Sequence, residues 1–163
     1  MCRDLGLFAA TKVLRNVELQ HASVESALNI LSQLGEPGLR PLTELTHQLE
    51  MIDGILQNKT DESIFNTAPN QDKKFVVIQG LYAHLTMTLH YTDPSLVGAA
   101  SIRMVELELR HGLSPLAPLA FAFYGETLAA IGLYDKACRM GTSLIVLLII
   151  FFEVITLNMN DNL

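Results

Sequence analysis

The chain has 163 residues, half of them apolar, no tryptophan and a formal net charge of −6. That length holds one domain or a piece of one. Acidic and basic residues are interspersed, which argues against a binder of nucleic-acid backbone, because such a binder presents a basic face.

No segment alternates with period two for long, and the 3.6-residue period dominates, so the chain reads as all-α. Residues 4 to 20 are predicted helical. After the polar stretch Asn16 to His21, Ser23 is placed as the cap of a second helix ending near Leu34. Gly35, Pro37, Gly38 and Pro41 then mark a loop. In "LTELTHQLEMIDGIL", Leu42, Leu45, Leu49, Ile52 and Leu56 fall on one face of a helix. Asn58 to Asp72 is a polar connector.

A long helix is predicted from about Lys73 to Tyr91, with Phe75, Ile78, Tyr82, Leu85 and Leu89 as its apolar stripe. Thr92-Asp93-Pro94 stops it. Asp93 is suited to cap the next helix, and Pro94 to its first position, where the missing N–H would be unpaired anyway. That helix runs to about His111 and carries Glu106 and Arg110 as an i, i+4 pair. Gly112 is free to adopt positive φ and end it. Ser114 and Pro115, or Ala117 and Pro118, open the following helix, so the two must fold back as an αα-hairpin.

Within "YGETLAAIGLYDKA", Gly125, Leu128, Gly132, Tyr134 and Ala137 match the middle of the tetratricopeptide signature in register. The glycines and Ala137 permit close approach or a tight bend. Leu128 and Tyr134 are expected to fill the space within the helix pair. A generic αα-hairpin would accommodate the same residues. A weaker echo, "ELQHASVESALNILSQLGEP", puts Ala27 in the place of Ala137, but the offset is no whole number of repeats.

"SALNILSQLGEP", "MTLHYTDPSLVGAASIRMVELELRHGLSPLAPLAFAFYG" and "AAIGLYDKACRMG" resemble a helical region of very large signalling ATPases. In those proteins an AAA-type, STAND-like ATPase module precedes a tetratricopeptide-like region, and some members add a serine/threonine kinase or a histidine-kinase domain. The resemblance covers about residues 10 to 141 and is loose between Gly38 and Asn70. It implies a degenerate tetratricopeptide-like α-solenoid of stacked antiparallel helix pairs. It also implies a role in protein interaction or regulation, with ATPase and kinase domains lying outside this chain.

The chain lacks a Gly-x4-Gly-Lys-Ser/Thr loop, a His-Arg-Asp loop and an Asp-Phe-Gly triplet, so no nucleotide cradle or kinase core is predicted. The histidines at 21, 47, 84, 90 and 111 have no His or Cys partner at ligand spacing, and no metal or other cofactor is expected. His111 suits the negative end of a helix dipole, and Ser114 reads as a cap rather than a nucleophile. The two cysteines, Cys2 and Cys138, share no motif spacing; reduced thiols fit a cytoplasmic chain. The start of the chain has no continuous apolar run of the signal-peptide kind.

The last stretch departs from the resemblance. Leu144 to Phe152 is unbroken apolar sequence, followed by Glu153 and further apolar residues. One reading is a C-terminal membrane anchor over residues 142–158: its Leu, Ile, Val and Phe side chains contribute about −5 kcal/mol on an insertion scale, against about 3 kcal/mol for a mid-bilayer Glu. The other is a final helix packed on the preceding hairpin, since Gly141 to Leu157 spans only about 25 Å as a helix, short of the ~30 Å hydrocarbon core. The second is the preferred reading. The expected organisation is therefore a helical domain over residues 1–141 and a hydrophobic helix or tail over 142–163. The expected function is a non-catalytic interaction module whose partner is a protein or a neighbouring ATPase or kinase domain, without nucleic acid. The alternative is a small tail-anchored protein.

Overall fold

The computed structural model describes residues 2–60, 63–64, 69–70 and 72–142, with side chains from residue 18 onward. The described residues are helical and contain no strand. In chain order they form α1 (Cys2–Gln33), a 3₁₀ turn (Leu42–Glu44), α2 (Thr46–Gln57), α3 (Lys73–Thr92), a second 3₁₀ turn (Pro94–Leu96), α4 (Val97–His111) and α5 (Ala117–Ala130). Residues 134–142 form a further helix, α6. The chain is all-α, as its periodicity predicts. Apart from Thr142, the expected C-terminal tail lies outside the described residues.

The N-terminal quarter corrects one expectation. A break near Ser23 is predicted, yet α1 runs unbroken to Gln33. No Gly or Pro interrupts Asn16 to Leu34, and polar side chains on a solvent face do not stop a helix. Ser23 does not cap: its Oγ lies 2.7 Å from His84 Nε2 on α3. The helix ends where glycine allows. Gly35 adopts φ +89°, its N–H bonds Ser32 O, and Glu36 N–H bonds Leu31 O, each at 3.0 Å. This pair of bonds is the Schellman arrangement. It recurs at Gly132, with φ +82°, Gly132 N–H on Ala129 O and Leu133 N–H on Leu128 O.

α3, α4 and α5 make two successive hairpins. At the first turn, Asp93 Oδ1 accepts from Ser95 N–H at 3.2 Å and from Ser95 Oγ at 2.6 Å. Pro94 begins the 3₁₀ turn, and α4 proper starts three residues later. At the second turn Gly112 has φ +97°. The antiparallel sense shows in the cross-links. Asn70, just before α3, bonds Leu113 O and His111 O at the far end of α4, both at 2.9 Å. Ser101 near the start of α4 bonds Thr127 near the end of α5, Oγ to Oγ1, at 2.7 Å.

The core lies along α4. The predicted stripe of α3, Phe75, Ile78, Tyr82, Leu85 and Leu89, is buried throughout. It meets Ala100, Ile102, Met104 and Val105 of α4, while Ala117, Ala120, Phe121, Tyr124 and Leu128 close in from α5. Each fully buried large apolar side chain of this kind stabilises the fold by about 1.5–3 kcal/mol. α1 packs on α3 through Val24, Ala27 and Leu31.

α2 does not form a hairpin with a sequence neighbour. It packs chiefly on α4, burying Ile52 and Leu56. Its far end is tied to α6: Lys136 pairs with Asp53, and Arg139 Nη2 donates to Leu56 O at 3.1 Å. With the loop before it, α2 borders a cleft beside α4.

Candidate functional site

The cleft opens between the loop after α1, the start of α2, and α4. Its volume is about 270 Å³. Leu39, Leu45, Met51, Ala99 and Ile102 supply apolar lining, while Arg40, His47, Gln48, Tyr82, Arg103, Glu106 and Arg110 supply the polar groups.

A chain of charges holds its back wall. Arg103 Nε donates to Glu36 Oε2 at 2.8 Å, and its Nη1 donates to Glu106 Oε2 at 2.9 Å. Arg110 Nη2 sits 3.1 Å from Glu106 Oε1. Tyr82 Oη donates to the same Glu36 oxygen at 3.0 Å. The local sequence explains the geometry: Arg103, Glu106 and Arg110 are spaced i, i+3, i+7 on α4, so they share a face. Glu36 is delivered by the Gly35 turn. Burial pulls the Arg103 pKa down, but its bonds to Glu36 and Glu106 outweigh that and raise it. Burial, then the Glu36 carboxylate, holds the Tyr82 phenol protonated to well above the ordinary tyrosine range. Such a network is fixed scaffolding, with Arg103 and Glu106 both largely screened from water.

Two groups are less committed. Arg40 is exposed and makes no hydrogen bond or ion pair to the described residues. Arg110 is half exposed. In the wall, Gln48 Oε1 is buried without a hydrogen-bond partner, an arrangement that costs on the order of 1–3 kcal/mol.

The residues singled out from the sequence lie elsewhere. Asp93, Pro94 and Gly112 sit at the turns bounding α4. Pro115 is an exposed turn residue. Ser114 is fully buried. Its Oγ accepts from Leu116 N–H at 3.0 Å, and it also donates twice to Glu108, from N–H at 2.6 Å and from Oγ at 2.5 Å. Glu108 is 1 % exposed. Burial raises its pKa to about 7 against the lowering pull of the Ser114 bonds. Gly125 meets α6 closely: a Cβ placed there would be 3.2 Å from Met140 Cβ and 3.6 Å from Ala137 O. Leu128 is buried.

Tyr134 corrects the expected filling of the helix pair. It is 67 % exposed. The α5–α6 approach is closed further along, by Gly125 against Met140, and Met140 is 2 % exposed. Tyr134, immediately after the Gly132 turn, stays at the open edge.

None of these ten residues lines the cleft. The Glu106 and Arg110 pair is legible in the sequence, but Arg103 and its partner Glu36 lie 67 positions apart, and no local pattern joins them. Among the described residues no group of three or more His, Cys, Asp or Glu is placed to hold a metal, and no helix is long and apolar enough to cross a membrane. Comparison with family models, with curated proteins and with solved structures returned no match.

Proposed function

We propose that the chain is a non-catalytic helical module that binds a protein partner and serves a regulatory role, like the helical region of the signalling ATPases and kinases it resembles. The observation that carries this reading is the cleft: an apolar lining with guanidinium groups, bordered by the loop after α1, by α2 and by α4. Clefts with an apolar interior and a few placed polar groups are where ligands bind. The charged groups at its back are engaged with one another as scaffolding. A cytoplasmic location belongs to the same reading and is supported by the free thiol of Cys138.

Photo-crosslinking tests it. p-Benzoylphenylalanine replaces His47 at the cleft mouth and, as a control, Glu18 on the exposed side of α1. The reading expects a discrete protein adduct from position 47 and none from 18. Equal labelling from both positions, or ATP hydrolysis or phosphate transfer by the purified chain, contradicts it.

A further inference from the structure

Resting on that interaction reading, we propose that the cleft takes an extended acidic peptide carrying an apolar anchor side chain. The argument is charge complementarity. The chain as a whole is acidic, at −6, yet at this cleft three guanidiniums, Arg40, Arg103 and Arg110, face two carboxylates, Glu36 and Glu106. Both carboxylates are bound by Arg103. Arg103 is therefore spent and Arg110 shares Glu106 with it at 3.1 Å, so the one positive charge in excess falls on Arg40, while Arg110 offers its exposed half at the rim.

Arg40 has no partner among the described residues, and Arg110 keeps half its side chain in water. A planar guanidinium binds a carboxylate through two parallel N–H bonds. Leu39, Leu45 and Ile102 line the same cleft and offer an apolar seat for one side chain. The volume, about 270 Å³, suits a single leucine-sized group with its backbone. Carboxylates flanking such an anchor reach Arg40 on the loop side and Arg110 on the α4 side. The chain's net charge of −6 disfavours a polyanion long enough to extend beyond the cleft, which separates this ligand from nucleic acid.

The experiment uses the full chain and fluorescein-labelled hexapeptides read by fluorescence anisotropy. The acidic probe is Glu-Asp-Leu-Leu-Asp-Glu amide. Its controls are the Gln/Asn counterpart, the Lys counterpart and a single-stranded oligonucleotide of equal charge. The acidic peptide is expected to bind at least about tenfold more tightly than each control and to weaken as salt rises from about 50 to about 300 mM. Arg40→Gln with Arg110→Gln should lose about tenfold in affinity, with some lowering of the unfolding midpoint because Arg110 also pairs with Glu106. Arg40→Gln alone, which removes no hydrogen bond or ion pair to the described residues, keeps the test open should the double variant be unstable; it should lose severalfold. Equal binding of the acidic and amide peptides, no binding of the acidic peptide, tighter binding of the oligonucleotide, or an unaffected Arg40→Gln variant overturns the proposal. If the peptide fails while position 47 still crosslinks a protein, only the ligand chemistry falls. If both fail, the interaction reading falls with it.

Discussion

Ser114 points both its backbone N–H and its hydroxyl at the carboxylate of Glu108, at 2.6 and 2.5 Å, in a place where Glu108 is 1 % exposed. A residue six positions back on α4 thus organises the turn into α5, at the cost of burying a carboxyl group whose pKa burial raises. The serine expected to cap the next helix bonds Leu116 N–H in the turn ahead of it instead, since α5 begins at Ala117 with Leu116 in the cap position and no side-chain cap bond, and it also bonds the preceding helix.

Ser114→Ala should destabilise the fold by about 2 kcal/mol, because a buried carboxylate loses one of its two donors. Urea unfolding checks this. A variant within about 0.5 kcal/mol of the parent would show that the hydroxyl bond contributes little.

The same contact sets a pH dependence. The folded Glu108 pKa of about 7 lies above the ordinary 4.5, so the folded state holds the proton more tightly than the unfolded state does. Its contribution is greatest below pH 4.5, falls as pH rises toward about 7, and is level above. The span is up to about 3 kcal/mol. His90 acts in the same direction at higher pH. Its bond to Glu126 and then its bond to Thr86 O raise its pKa, so that contribution is full below 6.5 and lost as pH rises through the folded value. Unfolding midpoints measured across this range should fall with pH. Glu108→Gln should flatten the lower part of the slope and Glu126→Gln the upper.

Two glycines should respond oppositely. Gly54 lies within α2 and a Cβ there meets nothing within 4 Å, so Gly54→Ala should stabilise by about 0.5–1 kcal/mol. Gly125→Val would press on Met140 and should cost about 1–3 kcal/mol. Thermal unfolding of both variants tests whether α5 and α6 meet as closely as described.

Tyr134 and Leu128 belong to the same sequence motif but should differ in consequence. Leu128→Ala removes a buried side chain, 2 % exposed, and should cost about 2–5 kcal/mol. Tyr134→Ala should stay within about 0.5 kcal/mol of the parent. Chemical denaturation of the two variants decides it; equal losses would place Tyr134 inside the helix pair after all.

The helical parts were legible because periodicity and glycine act locally. Phe75, Ile78, Tyr82, Leu85 and Leu89 were readable as one face, and the face is buried. Gly112 and Gly132 both adopt the positive φ their turns need. The break expected at Ser23 is absent because a run of polar residues does not stop a helix, which needs a glycine, a proline or a competing bond to end. The cleft was out of reach for a different reason. Tyr82 and Glu36 are 46 residues apart, Arg103 and Glu36 67 apart, and only packing brings them together. Its floor depends on α2 lying on α4, and no period in α2 names that neighbour.

The most direct measurement is amide hydrogen exchange of the full chain with and without the partner captured from position 47. The account predicts slowed exchange in residues 37–51 and 99–110, with α5 and residues 134–142 unchanged. Protection confined to α5 and 134–142, or spread evenly over all helices, would contradict it.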